Sequence, residues 1–372
     1  MRIGIEAQRI FRREKHGMDI YAKEIIQALA RQNPSDTFII FVRKDIYRDI
    51  QLFPNMQIIE IDALTYVDFE QIWLPMAIRR TNIDIMHYTS NTASLFCPVP
   101  YVVTVHDIMY LKGKTGGTFY QKLGHYYRKW IVPKSINYAK CLITVSEYEK
   151  KSMLHVLPLL PDFIHVVYNG VAELFCPNPE KELHPFNIFH VLPDKFILFL
   201  GNQAPKKNMK RVLKAYALYS KKTSQFLPLV LVETSDEQLT QTLRELNLEF
   251  IRPSIFLTGY LTQVKLAKLY QLATLFVYPS LQESFGIPLI ESMASGTPVI
   301  TSDTTALPEI AGGAAWLIDP TDTEQLADVM NLLLSNRTNY EQLQKKGLQR
   351  AKKFTWDEAA KNTYQIYLTV NQ

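Results

Sequence analysis

The sequence predicts an α/β protein of two domains, each built on a mostly parallel, doubly wound sheet. Three observations carry the prediction. Short apolar runs rich in Val, Ile, Leu and Phe alternate with amphipathic helical stretches, the pattern of repeated βαβ units. The alternation lapses once, where Pro177, Pro179, Pro185 and Pro193 punctuate a segment without periodicity, and then restarts. The chain's 372 residues exceed one ordinary core but suit two domains of roughly 150 to 200 residues.

Taken in order, apolar β-type runs place strands at 2–6, 37–42, 57–61, 83–87, 101–105, 141–145 and 164–168. Amphipathic periodicity places helices between them at 19–31, 69–80, 119–139 and 147–156. Beyond the proline-punctuated segment, strands follow at 196–200, 228–232, 255–258, 275–278, 298–301 and 315–318, with helices in the gaps. Three further helices close the chain at about 323–334, 340–353 and 356–370.

Composition narrows the class. Hydrophobic content of 47% with 21% charged residues is that of a soluble globular protein. Cys97, Cys141 and Cys176 lack metal-ligand spacing, so free thiols in a reducing cytoplasm are expected. The opening residues Met-Arg-Ile-Gly-Ile-Glu-Ala read as a strand rather than as the apolar core of a signal peptide. No apolar run approaches bilayer length. The net charge of +5 is mild, and no recognised nucleic-acid module is present, so nucleic acid is not an expected partner.

The most informative stretch runs from Tyr278 to Thr301. A short buried strand leads into a loop, Pro288 favours the first turn of a helix, and Gly296 stops it before the next strand. In open α/β sheets, ligands bind beyond the carboxyl ends of strands. Glu283 on the loop and Glu291, read as lying on the first helical turn, are expected to face one small volume. The backbone around Ser284, Phe285 and Gly286, with the positive end of the helix dipole, would then offer a site for a phosphate. The ordinary alternative is that Glu283 is a solvated loop residue and Glu291 a favourable first-turn acid.

Other candidates surround similar strand ends. Gly201 to Asn208 follows a strand, and Lys207, beside a potential cap at Asn208, could put a full positive charge on a phosphate. The stretch is neither Gly-x-Gly-x-x-Gly nor a Walker loop, which argues against dehydrogenase and ATPase chemistry. The basic loop 9–17 and the turn at Gly17 form a weaker phosphate candidate. Thr104-Val-His-Asp107 ends a strand and would aim His106 or Asp107 at the same edge, although a lone histidine is more often structural.

Residues 108–146 contain no Asp or Glu but hold Lys112, Lys114, Lys122, Arg128, Lys129, Lys134 and Lys140, interleaved with aromatic residues. On a helix, Tyr120, Leu123, Tyr127, Trp130 and Ile131 form one stripe, while Gln121, Lys122, His125, Arg128 and Lys129 lie largely elsewhere. The stripe reads either as core beneath a solvated basic face or as a surface for anionic lipid headgroups or a lipid-phosphate acceptor.

With these residues in order, the chain resembles family 4 of the retaining glycosyltransferases, whose GT-B architecture is two facing Rossmann-like domains with a cleft between them. The likeness covers nearly the whole length. It is carried by Glu283-Ser-Phe-Gly-Ile-Pro-Leu-Ile-Glu291 as the E-x7-E signature, by Pro205-Lys-Lys-Asn208 and by Thr104-Val-His-Asp107. Val145-Ser-Glu147, Tyr168-Asn-Gly170, Leu257-Thr-Gly-Tyr260 and Ala311-Gly-Gly-Ala-Ala315 add to it.

The resemblance implies roles. Glu291 would hold the donor ribose and Glu283 the donor sugar's hydroxyls. Lys207, with Lys206, would neutralise the diphosphate, while Gly259 and Tyr260 would contact the base. Gly17 would face the phosphates from the opposite domain and His106 would sit beside the transferred sugar, which makes Glu283, Lys207 and His106 the expected catalytic set. Asn202 stands where many members have an arginine, so phosphate charge rests more on the lysines.

The implied domains are 1–172 on the acceptor side, a linker at 173–193, a nucleotide-sugar domain at 194–355, and a helix at 356–372 returning to the first. The implied reaction moves a hexose, best matched to mannose from GDP-mannose, to a glycan or lipid-linked acceptor, as in bacterial mannosyltransferases of surface polysaccharide synthesis. No D-x-D pair occurs, which favours a metal-independent reaction without cofactor. The expected location is cytoplasmic, with peripheral contact at the inner face of the membrane through residues 112–140. A non-catalytic sugar-nucleotide or glycan-binding protein is the alternative, and a glycoside hydrolase a more distant one, since its carboxylates would have to flank a glycosidic bond.

Overall fold

Thirteen short apolar runs form strands in the computed structural model, which describes residues 1–13, 15–45, 47–112, 119–178, 192–201 and 204–371. The chain divides into two units, Met1–Gly170 together with Thr355–Gln372, and Val171–Phe354. Of the segment 173–193 expected as a linker, residues 179–191 lie outside the described residues. Val171 already belongs to the second unit, where its N–H donates to the Phe354 carbonyl.

The first unit's strands are β1 (Arg2–Glu6), β2 (Thr37–Arg43), β3 (Met56–Ile61), β4 (Ile85–Tyr88), β5 (Tyr101–Val105), β6 (Cys141–Thr144) and β7 (Ile164–Val166). They form one parallel sheet in the order β3-β2-β1-β4-β5-β6-β7. The second unit's strands are β8 (Ile197–Leu200), β9 (Leu229–Val232), β10 (Ile255–Gly259), β11 (Leu275–Tyr278), β12 (Val299–Ser302) and β13 (Trp316–Ile318). These are also all parallel, in the order β10-β9-β8-β11-β12-β13. Helices cover both faces of each sheet, which is why β4, β5, β6, β9, β11 and β12 are buried at every position. Chain order reverses between β1 and β4 in one sheet and between β8 and β11 in the other, and such a switch point opens a crevice at the carboxyl edge.

The closing helix Trp356–Val370 packs against the first helix, Gly17–Gln32, through a core that includes Trp356, Ile366 and Tyr367. Gly170 makes the close approach feasible, since a Cβ there would lie 2.2 Å from the Trp356 backbone nitrogen.

Two helices differ from expectation by more than two residues at an end. The single helix expected at 69–80 is instead a helical turn at Tyr66–Asp68, a π-helical segment at Phe69–Trp73 and a short helix at Leu74–Ile78. Pro75 lacks the N–H that a continuous α-ladder would use, so the widened turn precedes it. The helix expected from 340 begins at Arg337, because the Asn336 side chain accepts the Asn339 N–H and caps it.

Candidate functional site

The switch point of the second sheet assembles the principal cluster. Gly201 follows β8, where a Cβ would press against the Phe199 ring, and a 3₁₀ turn at Pro205–Lys207 then presents Lys207. Asn208 occupies the next helix's cap position in a left-handed conformation, φ 66°, but its side chain does not cap as expected. Its Nδ2 donates instead to the carbonyls of Pro279 and Pro320, which braces the lysine turn against the loop after β11. Asn202 lies outside the described residues.

That loop ends at Gly286, whose φ of 95° suits glycine and where a Cβ would lie 2.7 Å from Leu307. The helix Ile287–Ala294 follows, with Pro288 in its first turn, and Gly296 at φ 80° ends the connection. On the loop, the Glu283 N–H donates to Thr305 Oγ1 at 3.3 Å.

Lys207 and Glu283 meet. Lys207 Nζ donates to Glu283 Oε1 at 2.8 Å and to the Tyr278 hydroxyl at 3.2 Å, with side-chain exposures of 17% for the lysine and 11% for the glutamate. Burial alone would raise the Glu283 carboxyl, but Lys207, the nearby charge of Lys206 and the Tyr278 hydroxyl hold it below its ordinary value. Glu283 is therefore an ionised, partnered group rather than a solvated loop acid. Tyr278, which ends β11, is the residue that sequence reasoning passed over. Its position immediately before the loop was visible, but its reading as a buried strand residue hid the hydroxyl.

Glu291 has a different environment. It lies in the second turn of its helix, not the first, because the helix begins at Ile287, and it is buried. Burial pushes its carboxyl up to about 8, and the neighbouring Tyr270 hydroxyl offsets this only in part. The two carboxyls therefore differ in charge near pH 7, with Glu283 held ionised by Lys207 and Glu291 kept largely neutral by burial. Tyr278 lies within the field of both, with Glu283 acting on it more strongly.

The remaining second-unit candidates are spread along the same edge. The Phe285 side chain is buried against Phe354, with ring centroids 5.8 Å apart, so any ligand role of Phe285 falls to its backbone. Ser284 is partly buried beside it. Gly259 closes β10 at φ 67°, and Tyr260 after it is exposed.

In the first unit, Gly17 is the exposed first residue of its helix, and a Cβ there would meet nothing. That helix is capped by its own Asp19, which accepts the His16 N–H at 3.1 Å. His106 is buried, with its Nε2 donating to the Thr89 carbonyl at 2.9 Å and its ring edge-on to Tyr21. Burial lowers its pKa, so it is neutral, and the bond at Nε2 leaves Nδ1 as the acceptor nitrogen.

The basic aromatic helix Phe119–Tyr138 turns differently from the stripe expected of it. Ile131, Val132, Ile136 and also His125 are buried, while Leu123, Tyr126, Trp130 and Tyr138 are exposed beside Lys129 and Lys134. Tyr127 is drawn inward by its hydroxyl, which donates to Glu70 at 2.6 Å.

Comparison with known proteins gives this geometry a context. Residues 16–173 match the family model described as Glycosyltransferase Family 4, and residues 180–350 match Glycosyl transferases group 1. An O-antigen chain mannosyltransferase B of Escherichia coli is 29% identical over 271 residues, covering 72% of this chain and 69% of that protein. The serotype-specific mannosyltransferase WbdA of Escherichia coli is 30% identical over 226 residues, which are 60% of this chain but only 28% of WbdA. Among solved structures, a sucrose-phosphate synthase from Thermosynechococcus elongatus superposes with a TM-score of 0.78 at 20% identity, covering 99% of this chain and 98% of that one. Anabaena HepE, in complex with UDP and glucose, gives 0.74 at 15% identity, with 99% and 100% covered. These likenesses are to the GT-B fold.

Proposed function

We infer the reaction from what the chain is: it belongs to the family 4 glycosyltransferases, and in our reading it moves a hexose from a nucleotide diphosphate sugar to a glycan or lipid-linked acceptor. The observation that carries this reading is the Lys207 ammonium held 2.8 Å from Glu283 at the switch point of the second sheet. Cleaving a sugar to phosphate bond leaves negative charge on the diphosphate and positive character on the sugar ring. A fixed cation and a fixed carboxylate at one strand edge meet both demands. Lys207 would stabilise the leaving group, assisted by Lys206 and by the helix start at Ile287. Glu283 would position the sugar and favour the developing positive charge. His106, neutral, would serve the sugar through hydrogen bonding.

Retention of anomeric configuration and independence of metal complete the reading, with the lysines in the place of a divalent cation. Mannose as the transferred sugar is supported by the names of the relatives, and GDP as its carrier is our choice among the nucleotides. The acceptor is then a growing surface polysaccharide.

Among the described residues no helix is long and apolar enough to cross a membrane. In our reading the exposed Leu123, Tyr126 and Trp130 with Lys129 and Lys134 rest on the anionic inner face of a membrane, where aromatic and basic side chains share the interface. A thermal-shift screen of GDP-, UDP- and ADP-sugars tests the donor: GDP-mannose should raise the midpoint most, and no shift with any of them would overturn the reading.

A further inference from the structure

The first unit carries a charged cavity beside the basic loop 9–17. β1 and β2 run parallel with Glu6 opposite Phe41, and β3 joins them with Ile61 opposite Arg43. The segments leaving all three strands emerge at one carboxyl edge. There Gln8, Arg12, Arg43, Lys44, Asp45 and Tyr66 line a cavity of about 480 Å³.

The lining is selective. Three cations meet one acid, and Arg43 is fixed at the rim by donating Nη2 to the Leu64 carbonyl at 3.0 Å. Partial burial first, then the neighbouring Arg9 and Arg43, lower the Arg12 guanidinium, and Asp19 offsets them in part. Gln8 is only 7% exposed, and its Nε2 is buried with no hydrogen-bond partner among the described residues. Arg9 lies 4.9 Å over the Tyr66 ring, and its Nε is likewise buried without a partner. Buried N–H donors that lack acceptors are rare in folded proteins, and here two adjoin a surplus of positive charge. An oxyanion in the cavity would meet the Arg12 and Arg43 charges and lie beside Gln8.

We propose that this cavity binds the phosphate or diphosphate group of an acidic acceptor, carried either on a lipid or on a sugar. The acceptor role rests on the glycosyltransferase reading, whereas the anion site stands on the cavity alone. Because Arg12 and Arg43 extend from separate strand ends, the site suits a group with several oxygens better than a single carboxylate.

Calorimetric titration of the full chain with inorganic pyrophosphate tests the site in a Lys207→Ala background, which removes the donor cluster's contribution. Adding Arg12→Gln and Arg43→Gln should weaken binding about tenfold or more, and Arg12→Lys with Arg43→Lys should keep most of it. Equal affinity in the Gln and parent proteins would overturn the site. If circular dichroism shows that the Gln variant fails to fold, Gln8→Leu replaces it, with a severalfold loss expected and no loss overturning the site.

Two competing probes separate the sources. A short prenyl diphosphate that displaces pyrophosphate more strongly than a hexose 6-phosphate indicates a lipid carrier, and the reverse order indicates a phosphorylated sugar. With Lys207 intact, Arg43→Gln should leave nucleoside diphosphate affinity unchanged, and a loss matching that of Lys207→Ala would assign the cavity to the donor and sink the proposal. A wild-type chain that binds no sugar nucleotide would remove the glycosyltransferase reading without touching the pyrophosphate result.

Discussion

The Lys207 ammonium and the Glu283 carboxylate neutralise each other across 2.8 Å, so a diphosphate must compete with Glu283 for the same cation. Removing the carboxylate should therefore separate binding from turnover. Glu283→Gln is expected to tighten nucleoside diphosphate binding a few-fold while lowering kcat on the order of 100-fold, and Lys207→Ala to weaken both. Calorimetry and steady-state rates on the two variants check the opposite signs of the binding effects.

Tyr278 reaches the same ammonium from the side, with its hydroxyl 3.2 Å from Nζ. Tyr278→Phe keeps the ring beneath Lys207 and removes the hydroxyl's hydrogen bonds to Lys207 and Glu283. A stability loss of about 1 kcal/mol is expected, with a fall of about tenfold in kcat/KM, read by denaturant titration and by kinetics.

Glu291 makes the site sensitive to pH. Its folded pKa of about 8 lies well above the ordinary carboxylate value, so its contribution to stability is fully present below the unfolded pKa and is lost as pH rises through about 8. Glu291→Gln escapes that loss. The variant's melting temperature should gain on wild type between about pH 5 and pH 8 and hold a constant lead above, with a maximum effect on the order of a few kcal/mol.

The same group links binding to protons. If Glu291 holds the donor ribose, as the resemblance implies, its hydroxyls would donate to an ionised carboxylate, and donor binding near pH 7 should release a proton from Glu291. Binding enthalpies in buffers of different ionisation enthalpy check this, and Glu291→Gln should abolish the buffer dependence.

Gly286 is confined by its φ of 95° and by Leu307. Gly286→Ala should cost about 1–3 kcal/mol and weaken nucleotide binding as the helix start shifts. Thermal unfolding and nucleotide titration of one preparation report both.

The central strands were legible because helices cover both of their faces, which makes each a bounded apolar run; β1, β5 and β11 fall where the pattern places them. The Pro75 region misled because periodicity reports which residues face the core and not whether the backbone ladder widens. In the site, the loop, the Pro288 helix start and the Gly296 stop follow from turn chemistry. The split between an ionised Glu283 and a neutral Glu291 does not, since it depends on Lys207 and Tyr270, which reach them from elsewhere in the chain. The capping role expected of Asn208 failed for a similar reason: its amide is claimed by two carbonyls more than 70 residues away.

If Lys207 draws the diphosphate of a sugar nucleotide into cleavage, its effect is read in the slow release of GDP from GDP-mannose. The purified chain should release GDP steadily, and Lys207→Ala should lower the rate on the order of 100-fold with folding intact. Release at the same rate in wild type and variant would contradict it.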